Sequence, residues 1–127
     1  MQAECWCGSS VAYAACCGLF HSGAASAPTA RELMCSRYSA FAVGDTDYLL
    51  ATWHHSTRPA SLALDPAIEW RRLQIHAVTA GGVDDDEGTV QFIAHYWNSA
   101  SRQYGSQREN SRFTREGARW FYVEPAE

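Results

Sequence analysis

Four of the five cysteines fall within the first seventeen residues, as Cys5-Trp6-Cys7 and Cys16-Cys17. Two close pairs of thiols joined by a short loop suit a tetrahedral thiolate site. Zinc takes up to four cysteine sulfurs at about 2.3 Å, and ligands that arrive in pairs limit the entropy lost on closing the loop. Gly8, Ser9 and Ser10 lie between the pairs and let the backbone turn tightly. Disulfides are the alternative use of these thiols. Adjacent Cys16 and Cys17 do not readily bond to each other, however, and Met1-Gln2-Ala3-Glu4 lacks the basic and apolar segments of a secretory leader. Spacing and compartment together favour a metal, with Cys5, Cys7, Cys16 and Cys17 as the expected ligands. Zinc is the expected ion, and an all-sulfur site accepts iron as well. Four protein ligands leave no position for water, so such a site would be structural or adhesive, not hydrolytic.

A second set of candidates is polar residues that a pocket could gather: Arg37, Tyr38, Trp53, His54, His95 and Glu109. Glu109 shares strand parity with Ser111 and Phe113, which turns a carboxylate toward the same side as an apolar ring. A buried carboxylate near a histidine can carry acid–base chemistry. Each residue also has a plain structural use. Arg37 can pair with a surface acid, and Tyr38 and Trp53 fit an ordinary core. His54 and His55 end a helix, where the dipole favours an imidazolium. The acidic run Asp84-Asp85-Asp86-Glu87 lacks the alternating ligands and distal glutamate of a calcium loop, and reads as a solvated hairpin tip. No nucleophile triad, phosphate loop or dinucleotide fingerprint is visible.

The elements that must position these groups follow from the pattern. Residues 1–24 form the cysteine-rich knuckle, and Ser22 to Pro28 reads as a linker. Thr29-Ala30-Arg31-Glu32 is a capping box, in which the Thr29 hydroxyl takes the N–H of residue 32 and Glu32 reaches back to the N–H of residue 29. The helix it opens places Leu33, Met34, Tyr38, Phe41 and Ala42 on one stripe and stops at Gly44. Asp45 caps a second helix running through Asp47, Tyr48, Leu49, Thr52 and Trp53. His54 to Pro59 breaks it, and a further helical turn is expected over 60–64. From Ile68 the period becomes two. Leu73, Ile75 and Ala77 share one parity and Ile68 and Trp70 the other, so a β-bulge is expected at Arg71-Arg72. Val90, Phe92, Ala94 and Tyr96 give the inward face of the next strand. A third strand carries Glu109, Ser111 and Phe113, and a short terminal strand covers 119–123. Helices followed by a bent antiparallel sheet define an α+β domain over 29–127. A sheet bent around helices commonly encloses a pocket. Here the expected lining is Tyr38, Trp53, Phe92 and Phe113, with Leu73 and Ile75 in the wall and at least one of Arg37, His54 or Glu109 reaching it.

Composition sets the outer limits. The chain has 127 residues, 46% of them hydrophobic, enough for one core plus a small appendage. A net charge of −4 argues against binding nucleic acid through phosphate neutralisation. No apolar run approaches the roughly 18 residues of a membrane helix, so no membrane partner is expected. Reduced cysteines predict the cytoplasm.

Two sets of residues each carry a resemblance. Cys5-Trp6-Cys7-Gly8-Ser9-Ser10, followed by Tyr13 and Cys16-Cys17-Gly18, resembles the SEC-C motif, named after the zinc tail of the translocation ATPase SecA. Residues Leu33 to Phe41, the segment Tyr48-Leu49-Leu50-Ala51-Thr52-Trp53-His54, and Ser111-Arg112-Phe113 look like the bacterial YchJ family. The resemblance covers essentially the whole chain. It implies a SEC-C knuckle joined to a domain similar to nuclear transport factor 2, a cone of helices against a strongly curved antiparallel sheet. It brings no established activity. Some SEC-C variants end in histidine, which makes His21 the alternative to Cys17 as fourth ligand. Two departures stand out: Trp6 occupies the usual proline position, and Cys35 the place of a usual arginine.

The resemblance implies a non-catalytic module that meets another protein through the knuckle, by analogy with the SecA tail. The rival is a small-molecule binder or an enzyme of isomerase or dehydratase type using the cone interior, on fold analogy alone. The first requires exposed apolar residues around Trp6, Tyr13 and Phe20. The second requires Arg37, His54 and Glu109 to converge on an open pocket.

Overall fold

The computed structural model describes residues 4–126. After the cysteine loop and a single 3-10 turn, Tyr13–Ala15, come three helices: α1 (Cys17–His21), α2 (Ala30–Val43) and α3 (Thr46–Ala51). Four strands follow: β1 (Ile68–Ala80), β2 (Glu87–Asn98), β3 (Gln103–Glu116) and β4 (Arg119–Pro125). They form one antiparallel meander in the order β1-β2-β3-β4, against which α2 packs.

Thr29 caps α2 as its sequence predicts, its Oγ1 accepting from the Glu32 N–H at 3.2 Å. The return half of the box differs. The Glu32 carboxylate accepts from the Thr29 hydroxyl, not from the Thr29 backbone. Gly44 ends the helix at φ 81, a left-handed conformation that a residue with Cβ adopts at a cost. Asp45 caps α3 by accepting from the Tyr48 N–H. That helix stops earlier than its pattern suggests, because Thr52 and His54 leave it to pair with β4. Tyr122 N donates to Thr52 O at 2.8 Å, and His54 N donates to Tyr122 O at 2.7 Å. Tertiary pairing thus overrides local periodicity. No helical turn forms over 60–64. A five-residue stretch between Pro59 and Pro66 is too short to offset helix nucleation without packing support.

The bulge expected near Arg71 is present as a register shift between Trp70 and Arg72, and a second lies between Ile75 and Ala77. Each inserts a residue and bends β1, which curls the sheet around α2. Inward side chains of both layers meet in one core: Leu33, Met34 and Tyr38 from α2, with Val90, Phe92, Phe113 and Trp120 from the sheet. Complete burial of a ring such as Phe113 stabilises by about 2–3 kcal/mol.

Candidate functional site

The four cysteines of the knuckle come together as their spacing predicts. Cys5 N donates to Val11 O at 2.7 Å and Glu4 bridges Ala12, so the loop closes as a small hairpin. Its turn uses Gly8 at φ 86. The 3-10 turn then delivers Cys16 and Cys17 to the start of α1. The Sγ atoms of Cys5, Cys7, Cys16 and Cys17 all lie within 4.8 Å of one another. Cys7 Sγ and Cys16 Sγ are 3.7 Å apart, close to the edge of about 3.8 Å expected for a tetrahedron with 2.3 Å zinc–sulfur bonds. The donor set therefore fits a tetrahedral thiophilic ion. Hydroxyls support it from outside: Ser39 Oγ lies 3.5 Å from Cys5 Sγ, and Ser9 Oγ 3.2 Å from Cys16 Sγ.

Contacts with Cys17 and then Cys35 hold the Cys7 pKa far below the usual thiol range. The Cys17 and Cys35 thiols are pushed up, first because each is drawn to donate to Cys7 and then by burial. Cys35 is the residue the sequence pattern missed. It lies on α2, remote in sequence from the knuckle, yet abuts its sulfurs. Its side chain is half-buried. No spacing signal could have placed it there.

His21 is fully engaged elsewhere. Its Nδ1 lies 2.5 Å from the Tyr13 hydroxyl and its Nε2 2.8 Å from Ser36 O. Both ring nitrogens are taken, so His21 straps the knuckle to α2 and lies outside the cluster of four thiols.

The pocket candidates do not converge. Arg37 is buried, with 4% exposure, and donates from Nη1 to Leu49 O and Thr52 Oγ1, each at 2.8 Å. Its guanidinium lies over the rings of Trp53 and Tyr122, at 5.1 and 4.8 Å. Burial lowers its pKa to about 10. Glu109 points inward as expected, but accepts from Ser111 Oγ and from the Tyr122 hydroxyl. His54 meets Glu116, not Glu109. Glu116 sits at the far end of β3, where the chain segment after α3 crosses the sheet edge. His95 faces the outer side of the sheet, bonded to Gln74 Oε1 at 2.6 Å. Tyr38, Phe92 and Phe113 are packed into the core instead of lining a cavity.

Two clefts lie elsewhere. One, of about 450 Å³, runs between α1, α3 and β4, with Phe20, Tyr48, Trp120 and Phe121 beside Asp45 and Asp47. The other, of about 680 Å³, is bounded by Trp6, Phe41, Val43, Ile68 and Trp70. Neither is lined by Arg37, Tyr38, Trp53, His54 or Glu109.

A cysteine knuckle strapped to a helix inside a curled antiparallel sheet defines a SEC-C motif protein with a domain like nuclear transport factor 2. Residues 3–19 match the SEC-C motif, and residues 29–125 match the family described as YchJ, middle NTF2-like domain. A UPF0225 protein of Streptomyces avermitilis is 49% identical over 96% of this chain and 83% of its own length. One of Corynebacterium glutamicum is 48% identical over 96% of this chain and 95% of its own. The chain belongs to this YchJ (UPF0225) family. The solution structure of a SEC-C motif containing protein from Rhodopseudomonas palustris superimposes with a TM-score of 0.82 at 29% identity, covering 97% of both chains. A SEC-C motif containing protein from Psychrobacter arcticus shares the fold, with a TM-score of 0.77 at 23% identity over 97% of this chain and 81% of that one. Among the described residues no helix is long and apolar enough to cross a membrane.

Proposed function

We propose that this protein is a zinc-stapled interaction module, in which residues 1–24 hold the ion on Cys5, Cys7, Cys16 and Cys17 and present a docking surface to another protein. The domain over 29–127 carries that surface. The observation behind this reading is Trp6. It is 50% exposed although it lies between two metal-binding positions, and it borders the apolar cleft formed with Phe41, Val43 and Trp70. A large ring left half in water next to an apolar groove is a feature of interfaces. Val11 and Leu19 of the knuckle are exposed as well. Tyr13 and Phe20 are only partly exposed, Tyr13 bonded to His21 and Phe20 packed against the core. Zinc is preferred over iron because a closed all-thiolate tetrahedron suits an ion with no redox demand. A thiolate site of this kind is the reason for proposing a reducing compartment, the cytoplasm.

The test combines elemental analysis with interaction capture. Fresh, reduced protein should carry one zinc. Trp6→Ala should keep that zinc and lose the partner, and Cys5→Ser should lose both. A metal-free native protein, or a partner retained by both variants, would overturn the reading.

A further inference from the structure

A second group of donors, sharing no residue with the knuckle, lies where the segment after α3 meets the end of β3. Trp53 forms a parallel bridge with Tyr122, and His54 N donates to Tyr122 O, so this segment is clamped along the edge of β4. Glu116 is the last residue of β3, and Gly117 at φ 64 turns the chain immediately after it. His54 Nε2 lies 2.5 Å from Glu116 Oε2, and His55 Nε2 lies 3.8 Å from Glu116 Oε1. The two imidazoles stack with centroids 4.2 Å apart and an interplanar angle of 32°, which brings both Nε2 atoms to one carboxylate. All three residues offer a donor within 4.8 Å of the others. Donors around a tetrahedral ion with bonds of 2.0–2.1 Å stand about 3.3 Å apart, so only small side-chain shifts separate this arrangement from a coordination shell.

The geometry points to a second metal site, in which His54, His55 and Glu116 hold a divalent transition metal ion. Two imidazoles and one carboxylate suit ions of borderline softness such as zinc or nickel, and not calcium or magnesium, which take oxygen ligands. Without metal, His54 Nδ1 accepts from the Ser56 N–H at 3.2 Å, so the ring proton sits on Nε2 and is donated to Glu116. Metal binding takes the Nε2 lone pair and moves that proton to Nδ1. Ser56 Oγ, 2.7 Å away, is placed to accept it. Ser56 then serves as the outer partner that fixes the tautomer of a ligating histidine. Three protein ligands leave a coordination position for water or a partner's side chain, which the closed cysteine site does not offer. A plain His54–Glu116 ion pair would make no use of His55, and that difference separates the two cases.

The experiment uses full-length protein already loaded with one equivalent of zinc on the knuckle. A second equivalent of zinc is followed by calorimetry and by the imidazole nitrogen resonances. The expected result is a second bound ion that moves the Nε2 resonances of His54 and His55 and leaves those of His21, His76 and His95 in place. His55→Ala and Glu116→Gln both alter largely exposed side chains, with 71% and 52% exposure, so neither should disturb the fold. Each should weaken the second site at least about tenfold, with Ser56→Ala weakening it less. No second ion, unchanged affinity in both His55→Ala and Glu116→Gln, or a second ion that moves other histidines would each overturn the proposal.

Discussion

Among the described residues of the first 24, only Cys5 and Cys17 are buried, whereas ten residues from Ala27 to Trp120 close a single apolar core in the cone. The knuckle is therefore held by its cysteine cluster and by a few straps to α2, namely the Cys5–Ser39 contact and the His21 Nε2–Ser36 O bond. The cone is ordered by apolar burial and a continuous hydrogen-bonded meander. A segment of knuckle length cannot by itself offset its chain entropy through apolar burial, and the proposed coordination would supply what is missing. One consequence is that the two regions answer to different perturbations.

The largest effect should come from removing the ion. Structural zinc contributes on the order of 10–16 kcal/mol in isolated knuckle-like peptides. Chelation should erase amide protection before about residue 24 and spare β2 and β3. A single cooperative collapse of the whole chain, followed by hydrogen exchange, would break the division between the two regions.

Within the cone, Arg37 is the most demanding polar group. Arg37→Ala would leave Leu49 O and Thr52 Oγ1 without their donor and open a void beneath Trp53 and Tyr122. It should cost about 3 kcal/mol in urea denaturation while zinc content stays unchanged. Arg37→Lys should recover only part of this, because a compact ammonium lacks the planar guanidinium that stacks on two rings.

The strap between the regions is weaker. His21→Ala should cost about 1–2 kcal/mol and leave zinc stoichiometry intact. Loss of the ion in that variant would make His21 a ligand after all.

The smallest effect concerns Tyr38, whose buried hydroxyl has no hydrogen-bond partner among the described residues. Tyr38→Phe should be neutral or stabilising by up to about 1 kcal/mol. Burial raises this phenol from its ordinary 10.0 to about 12. Its contribution to stability is then fully present below pH 10 and is lost as pH rises through about 12. The phenylalanine variant should therefore lose less stability than the native chain across that alkaline window, as measured by denaturation at stepped pH.

The sequence alone determined what local chemistry can encode. Paired thiols announced the cysteine cluster because its ligands lie within a short loop. Thr29, Asp45 and Gly44 marked helix ends because capping is a contact between near neighbours. The change of parity at Arg71-Arg72 disclosed a bulge because strand periodicity is strict. Tertiary structure decided everything that joins distant residues. It ended α3 early by pairing Thr52 and His54 with β4, and it gave His54 the carboxylate of Glu116 in place of Glu109. It set Cys35 against the knuckle and enclosed Arg37 between two rings. These outcomes depend on how the sheet curls and where its edge meets the helices. That is settled by the joint packing of some hundred residues, and no single stretch of chain carries it.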